Sequence, residues 1–123
     1  MGDYRTLLAY RKSFGLTMKI YDISKRFPSH EKFGLTSQIR NSSRSACVNI
    51  VEAYKRRRYK RYYLSKLNDS EAENAETQVW LDFALECEYL AEPEFIELNL
   101  DNNEVAKLVL YMINNPEKFC TNY

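Results

Sequence analysis

Tyr59 to Ala91 reads YKRYYLSKLNDSEAENAETQVWLDFALECEYLA, and this run decides the fold. It contains neither Gly nor Pro. Tyr63, Leu67, Ser70, Asn74, Thr77, Leu81 and Ala84 recur at intervals of three and four, the spacing that places side chains on one face of an α-helix. A strand would need alternation with a period of two, and no stretch of useful length supplies it. The run is therefore predicted as one long helix over 59–91. Its inward face is polar in the middle, at Ser70, Asn74 and Thr77. Buried hydroxyls and amides have to be hydrogen-bonded, so this face is expected to meet the polar stretch of a neighbouring helix.

That neighbour precedes it. From Thr36, a suitable N-cap, a helix is predicted to about Arg57, with a stripe of Leu35, Ile39, Ala46, Ile50 and Ala53. Its remaining positions are unusually polar, and Arg40 or Arg44 is expected to form a structural ion pair with Glu73 or Glu76 of the long helix. Upstream, Leu7, Tyr10, Phe14, Met18 and Tyr21 mark a first helix over about 4–26, with Leu16, Ile20 and Ile23 widening the stripe. Phe27-Pro28 stops it, because the residue before a proline avoids helical angles. Downstream, Pro93 suits the opening turn of a fourth helix. Its stripe is Phe95, Leu98, Val105, Leu108, Val109, Met112 and Ile113, and Asn115-Pro116 ends it. Phe119 is expected to fold back. Four helices with short joints predict an all-α, antiparallel up-down-up-down four-helix bundle, a single domain over 1–123.

With 123 residues, 45% hydrophobic and 28% charged, the chain suits one globular domain and is too short for a TIM barrel or a two-domain dinucleotide enzyme. A chain this size buries only about two-thirds of its unfolded surface, so self-association is a plausible source of further burial. No apolar run approaches a membrane span, and the three cysteines are widely spaced. They predict reduced thiols and a cytoplasmic setting without membrane contact.

Reactive groups are few. The glycines are isolated, so no phosphate-cradling loop exists. The single histidine, His30, lies in the first loop and reads as a solvated side chain. Neither a zinc site nor a Glu-x-x-His di-iron site can be assembled around it. The carboxylates of the long helix read as a solvated or salt-bridged face. The chain is expected to be no enzyme, with no catalytic residue, cofactor or metal.

Charge is unevenly placed. Residues 1–66 hold sixteen of the eighteen Lys and Arg and four acids, a net of +12; residues 67–123 carry a net of −11. Basic and acidic helices can lie side by side in one molecule, or one subunit's basic face can meet another's acidic face. The densest cations are Lys55, Arg56, Arg57, Arg58, Lys60 and Arg61, interleaved with Tyr54, Tyr59, Tyr62 and Tyr63. They fall where the second helix hands over to the third. Cations opening a helix oppose its dipole, and six so close repel one another, so an anionic neighbour is expected. Arg forks beside tyrosine rings suit phosphates and unstacked bases of RNA or DNA. The nucleic-acid-binding candidates are therefore these six cations with Tyr59 and Tyr62. The alternative is a protein-interaction scaffold whose basic segment docks an acidic partner or a neighbouring subunit.

Phe27-Pro28, Phe33-Gly34-Leu35, Gln38-Ile39-Arg40, Asn49-Ile50-Val51-Glu52-Ala53 and Arg56, in that order, resemble the 23S ribosomal RNA intervening-sequence protein family, also called the bacterial four-helix bundle protein family. The likeness runs from about Leu7 to Phe119, and Glu73 to Asp82 (ENAETQVWLD) resembles one branch. Cys47 and Ala53 stand where the family usually has a Pro and a Gly, so the second helix is expected to be straighter and to run further. The resemblance implies a homopentameric ring and a gene sometimes found inside an inserted segment of ribosomal RNA genes. A similar fold serves diversity-generating retroelements, where a basic pentamer works with nucleic acid and a reverse transcriptase. The resemblance supplies no catalytic residues.

Overall fold

A computed structural model describes residues 2–121. The single-domain expectation over 1–123 also covers Met1, Asn122 and Tyr123, which lie outside the described residues. Among the described residues there are four α-helices and no strand: α1 Leu8–Ser24, α2 Leu35–Lys55, α3 Lys60–Glu86 and α4 Glu92–Asn114. Short 3-10 turns occupy Tyr4–Thr6, Ser29–Glu31 and Pro116–Lys118. α1 packs on α2 and α4, and α3 packs on the same two helices. The connections leave room only for antiparallel neighbours, which gives the expected bundle. None of these helices is long and apolar enough to cross a membrane.

The stripes of α2, α3 and α4 meet as predicted, but α1 turns the Leu16 and Ile20 side of its wide stripe inward and leaves Phe14 and Met18, expected on the inner face, exposed. Ile20, Ile39, Ile50, Tyr63, Leu67, Leu81, Val105, Val109 and Met112 are buried. The polar middle of α3 finds its partners on both sides. Ser70 donates to the Ala46 carbonyl at 2.7 Å, and the Ser42 and Thr77 hydroxyls meet at 2.8 Å. Asn74 donates to the Asn102 side-chain oxygen at 2.8 Å, while Asn102 donates back to the Asn74 carbonyl at 3.2 Å. Among the described residues no buried side-chain nitrogen or oxygen lacks a partner.

The expected ion pair between α2 and α3 does not form. Arg40 turns toward α1, where its Nε donates to Ser24 Oγ at 2.8 Å and its guanidinium lies 4.9 Å from the Tyr21 ring. Arg44 lies over the same ring. Glu76 instead accepts a bond from Trp80 Nε1, and Glu73 joins no ion pair among the described residues. The middle of the α2–α3 seam is instead filled by Ser42, Ala46, Ser70 and Thr77, and burying a long charged pair there would cost desolvation.

Several boundaries shift for local reasons. Leu7 is extended, so α1 begins at Leu8 rather than Tyr4, and the Asp3 carboxylate caps the preceding 3-10 turn through Arg5 N–H. α1 ends at Ser24, followed by tight turns into Phe27. α2 begins at Leu35, and its first N–H donates to Glu31 Oε1 at 3.0 Å. Thr36 is therefore inside the helix, and the Glu31 carboxylate, four residues before Leu35, does the capping. α3 stops at Glu86, five residues before Ala91, and α4 begins one residue before Pro93. Phe119 folds back as expected and stacks on Tyr63 with ring centroids 6.4 Å apart.

Candidate nucleic-acid interface

α2 ends at Lys55, Arg56 to Arg58 form the turn, and α3 begins at Lys60. The turn closes through Tyr59 N–H to the Arg56 carbonyl at 2.9 Å. Tyr59 is extended and supplies no side-chain cap, so the opening N–H groups of α3 point out beside the cations. The C-terminal segment lies against the same turn, with Thr121 N–H donating to the Arg57 carbonyl at 3.2 Å.

The six cations do not all have the same role. Arg57 is half-buried: its guanidinium sits 3.9 Å above the Tyr54 ring and donates to the Tyr54 carbonyl at 2.8 Å. It braces the turn. Lys55, Arg56, Arg58, Lys60 and Arg61 are exposed. Among the described residues, Lys55, Arg56, Arg58 and Arg61 join no ion pair. Two nearby acids are engaged elsewhere. Glu52, the one acid of α2, pairs with Lys66 at 3.2 Å, and Asp3 pairs with Arg5. The Arg5 N–H, with smaller help from Lys55, holds the Asp3 carboxyl below its usual range.

Lys55, Arg56, Arg57, Arg58, Tyr59 and Thr121 line an open recess of about 610 Å³. Tyr59 and Tyr62 stand beside it, both half exposed, with rings edge to face. Thus the predicted cations and tyrosines do gather at one end of the bundle. Thr121 was not visible as a candidate from the sequence, since only the fold-back of the C-terminus brings it here.

The remaining candidates lie elsewhere. Arg40 and Arg44 face α1, as described, while Glu73 and Glu76 sit midway along α3. His30 is at the opposite end, 3.3 Å from the Tyr89 hydroxyl, which donates to Glu31 at 2.9 Å. Burial pushes the Cys47 thiol up, and all three cysteines are unpaired. Among the described residues no cluster of three or more His, Cys, Asp or Glu is placed to hold a metal ion.

Residues 5–111 match the sequence profile of the 23S rRNA-intervening sequence protein family. The chain belongs to that family. A crystal structure of a protein of unknown function from the S23 ribosomal protein family of Bacteroides thetaiotaomicron VPI-5482 superposes with a TM-score of 0.79. The two are 28% identical, over 87% of this chain and 96% of that one. No curated protein matches. Within the intervening-sequence protein family the departures at Cys47 and Ala53 leave the bundle intact: both residues are buried in α2.

Proposed function

We propose that this intervening-sequence protein is a non-enzymatic binding protein that holds RNA or DNA phosphates at the α2–α3 junction. One observation carries the reading: four exposed cations, Lys55, Arg56, Arg58 and Arg61, stand together at the junction with no ion-pair partner among the described residues, and the first three of them line an open recess. Concentrated positive charge left unneutralised is a footprint for a polyanion. A mobility-shift titration with structured RNA tests it. Binding weakens steeply with salt, by roughly 0.7 to 0.9 log units per log unit of salt for each phosphate neutralised. The triple variant Arg56→Glu, Arg58→Glu, Arg61→Glu loses about 100-fold or more in affinity. No salt-sensitive shift at micromolar protein overturns the proposal.

Assembly into a homopentameric ring, as the family resemblance implies, would multiply a weak contact through avidity. Two outward faces support a head-to-tail contact between copies. Arg11, Phe14, Met18, Arg44 and Val48 are exposed on α1 and α2, whereas Glu76, Val79, Phe83 and Glu86 are exposed at three- and four-residue spacing on α3. The faces are apolar with opposite charge, the complementarity a heterologous interface needs. The same surfaces favour the scaffold reading, in which the junction itself docks an acidic face. Mass in solution separates the two. The triple charge reversal leaves the assembly intact if the junction serves nucleic acid, and breaks it if the junction is an interface.

A further inference from the structure

A phosphate site alone does not use all that the junction displays. Tyr59 and Tyr62 are 56% and 50% exposed, with ring centroids 6.0 Å apart and planes at 84°. Other rings at this end are covered: Tyr63 is buried, and Tyr54 lies beneath Arg57. Tyr59 also lines the cationic recess. It therefore borders phosphate-binding charge on one side and a second aromatic ring on the other. Arg56 stands 6.0 Å from the Tyr62 ring, so Tyr62 is shared with a guanidinium while Tyr59 offers the less encumbered surface.

We propose that the junction takes single-stranded nucleic acid, with one unstacked base on the open face of Tyr59 and its adjacent phosphate among Lys55, Arg56 and Arg58. This rests on the nucleic-acid reading above and narrows it. Perpendicular rings leave no parallel slot between Tyr59 and Tyr62, so the base lies on one ring and meets the edge of the other. In a duplex every base face is already covered by its neighbours. A site made only of cations would take a duplex at least as well, because a duplex carries the denser charge. An unpaired base brings a free π-face, and stacking on an aromatic side chain tolerates any sequence.

Fluorescence anisotropy with the full chain tests this, using a short labelled RNA strand and its DNA equivalent. Each is also measured as a duplex and as an abasic strand that keeps every phosphate. The intact strand is expected to bind about tenfold more tightly than its duplex or abasic form. Tyr59→Ala removes that advantage and leaves solution mass unchanged, whereas Tyr59→Trp keeps it. An advantage seen with only one of the two sugars supports the proposal and identifies the polymer. If strand, duplex and abasic strand bind alike, or if Tyr59→Ala leaves their ratio intact, the base platform is overturned while the electrostatic reading survives. If the unmodified chain binds none of them, both readings fall. Tyr59 is exposed and caps nothing through its side chain, so the alanine variant is expected to fold, which circular dichroism checks.

Discussion

At one end of the bundle, two carboxylates close on partners within the chain. Glu31 accepts from Leu35 N–H and from the Tyr89 hydroxyl, and Glu94 accepts from Ala91 N–H and from Arg26 at 2.7 Å. At the other end, Lys55, Arg56, Arg58 and Arg61 are exposed and join no ion pair among the described residues, and the turn is held by Arg57 on Tyr54 and by hydrogen bonds of the main chain. A region that departs from local neutrality while its counterpart obeys it is where a partner is expected.

The comparison implies that the basic end is held together from inside. Tyr63 is fully buried there, its hydroxyl donates to the Met112 carbonyl at 2.8 Å, and its ring stacks on Phe119. Burial pushes its phenol well above the ordinary range. Tyr63→Ala is expected to cost about 3–5 kcal/mol in urea unfolding, the largest effect anticipated here. Tyr63→Phe, which keeps the ring, costs about 1 kcal/mol. A loss below about 1 kcal/mol for the alanine variant would mean that the exposed charges, not the aromatic interior, govern this end.

The opposite end should instead respond to acid. The Leu35 N–H first, then the Tyr89 hydroxyl, hold the Glu31 carboxyl below the usual glutamate range; Arg26 first, then Ala91 N–H, do the same for Glu94. A folded-state pKa below the unfolded one gives stability that is present above the unfolded value and lost as pH falls through the folded one. Glu31→Gln is therefore expected to cost about 1–2 kcal/mol near neutrality. The difference from the parent should shrink as pH drops below the unfolded glutamate value of about 4.3. An unchanged gap between the two unfolding curves in acid would show that the capping charge is not what matters.

The four helices, the stripes of α2, α3 and α4 and the clustering of the basic segment were legible in the sequence, because periodicity and local charge density are properties of contiguous residues. The inner face of α1 was not, since its apolar residues run nearly all round and Phe14 and Met18 end up exposed. Two further things were not. The partners of Arg40 and Arg44 depend on which way α2 rolls, and the stripe of α2 is too small-residued to specify that. The end of α3 lacked its usual signal. Glu88 occupies the left-handed position, with φ 62°, and the N–H groups of Glu88 and Tyr89 donate back to the carbonyls of Leu85 and Ala84. Such a stop is normally marked by glycine. Glu88→Gly is expected to stabilise the protein by about 0.5–1 kcal/mol, the relief of left-handed strain less glycine's added chain entropy. A destabilised variant in thermal unfolding would indicate that the Glu88 side chain makes an overriding contribution.

The smallest expected effect is the most pointed control on the contrast between neutralised and open charge. Lys19 on α1 is half exposed and pairs with Asp101 at 2.8 Å and Glu97 at 3.1 Å on α4. Asp101 first, then Glu97, raise its pKa, so its contribution persists up to the ordinary lysine range and fades only as pH climbs beyond it. Exposed pairs of this kind contribute about 0.2–1 kcal/mol, and salt screens them. Lys19→Ala and Arg58→Ala each remove one positive charge, so any effect of net charge alone would be equal in the two. With Lys19 already neutralised by α4 and Arg58 open at the junction, Lys19→Ala should change nucleic-acid affinity less than about twofold while Arg58→Ala lowers both affinity and the salt slope. Equal losses from the two substitutions would reduce the basic end to an undirected cloud of charge.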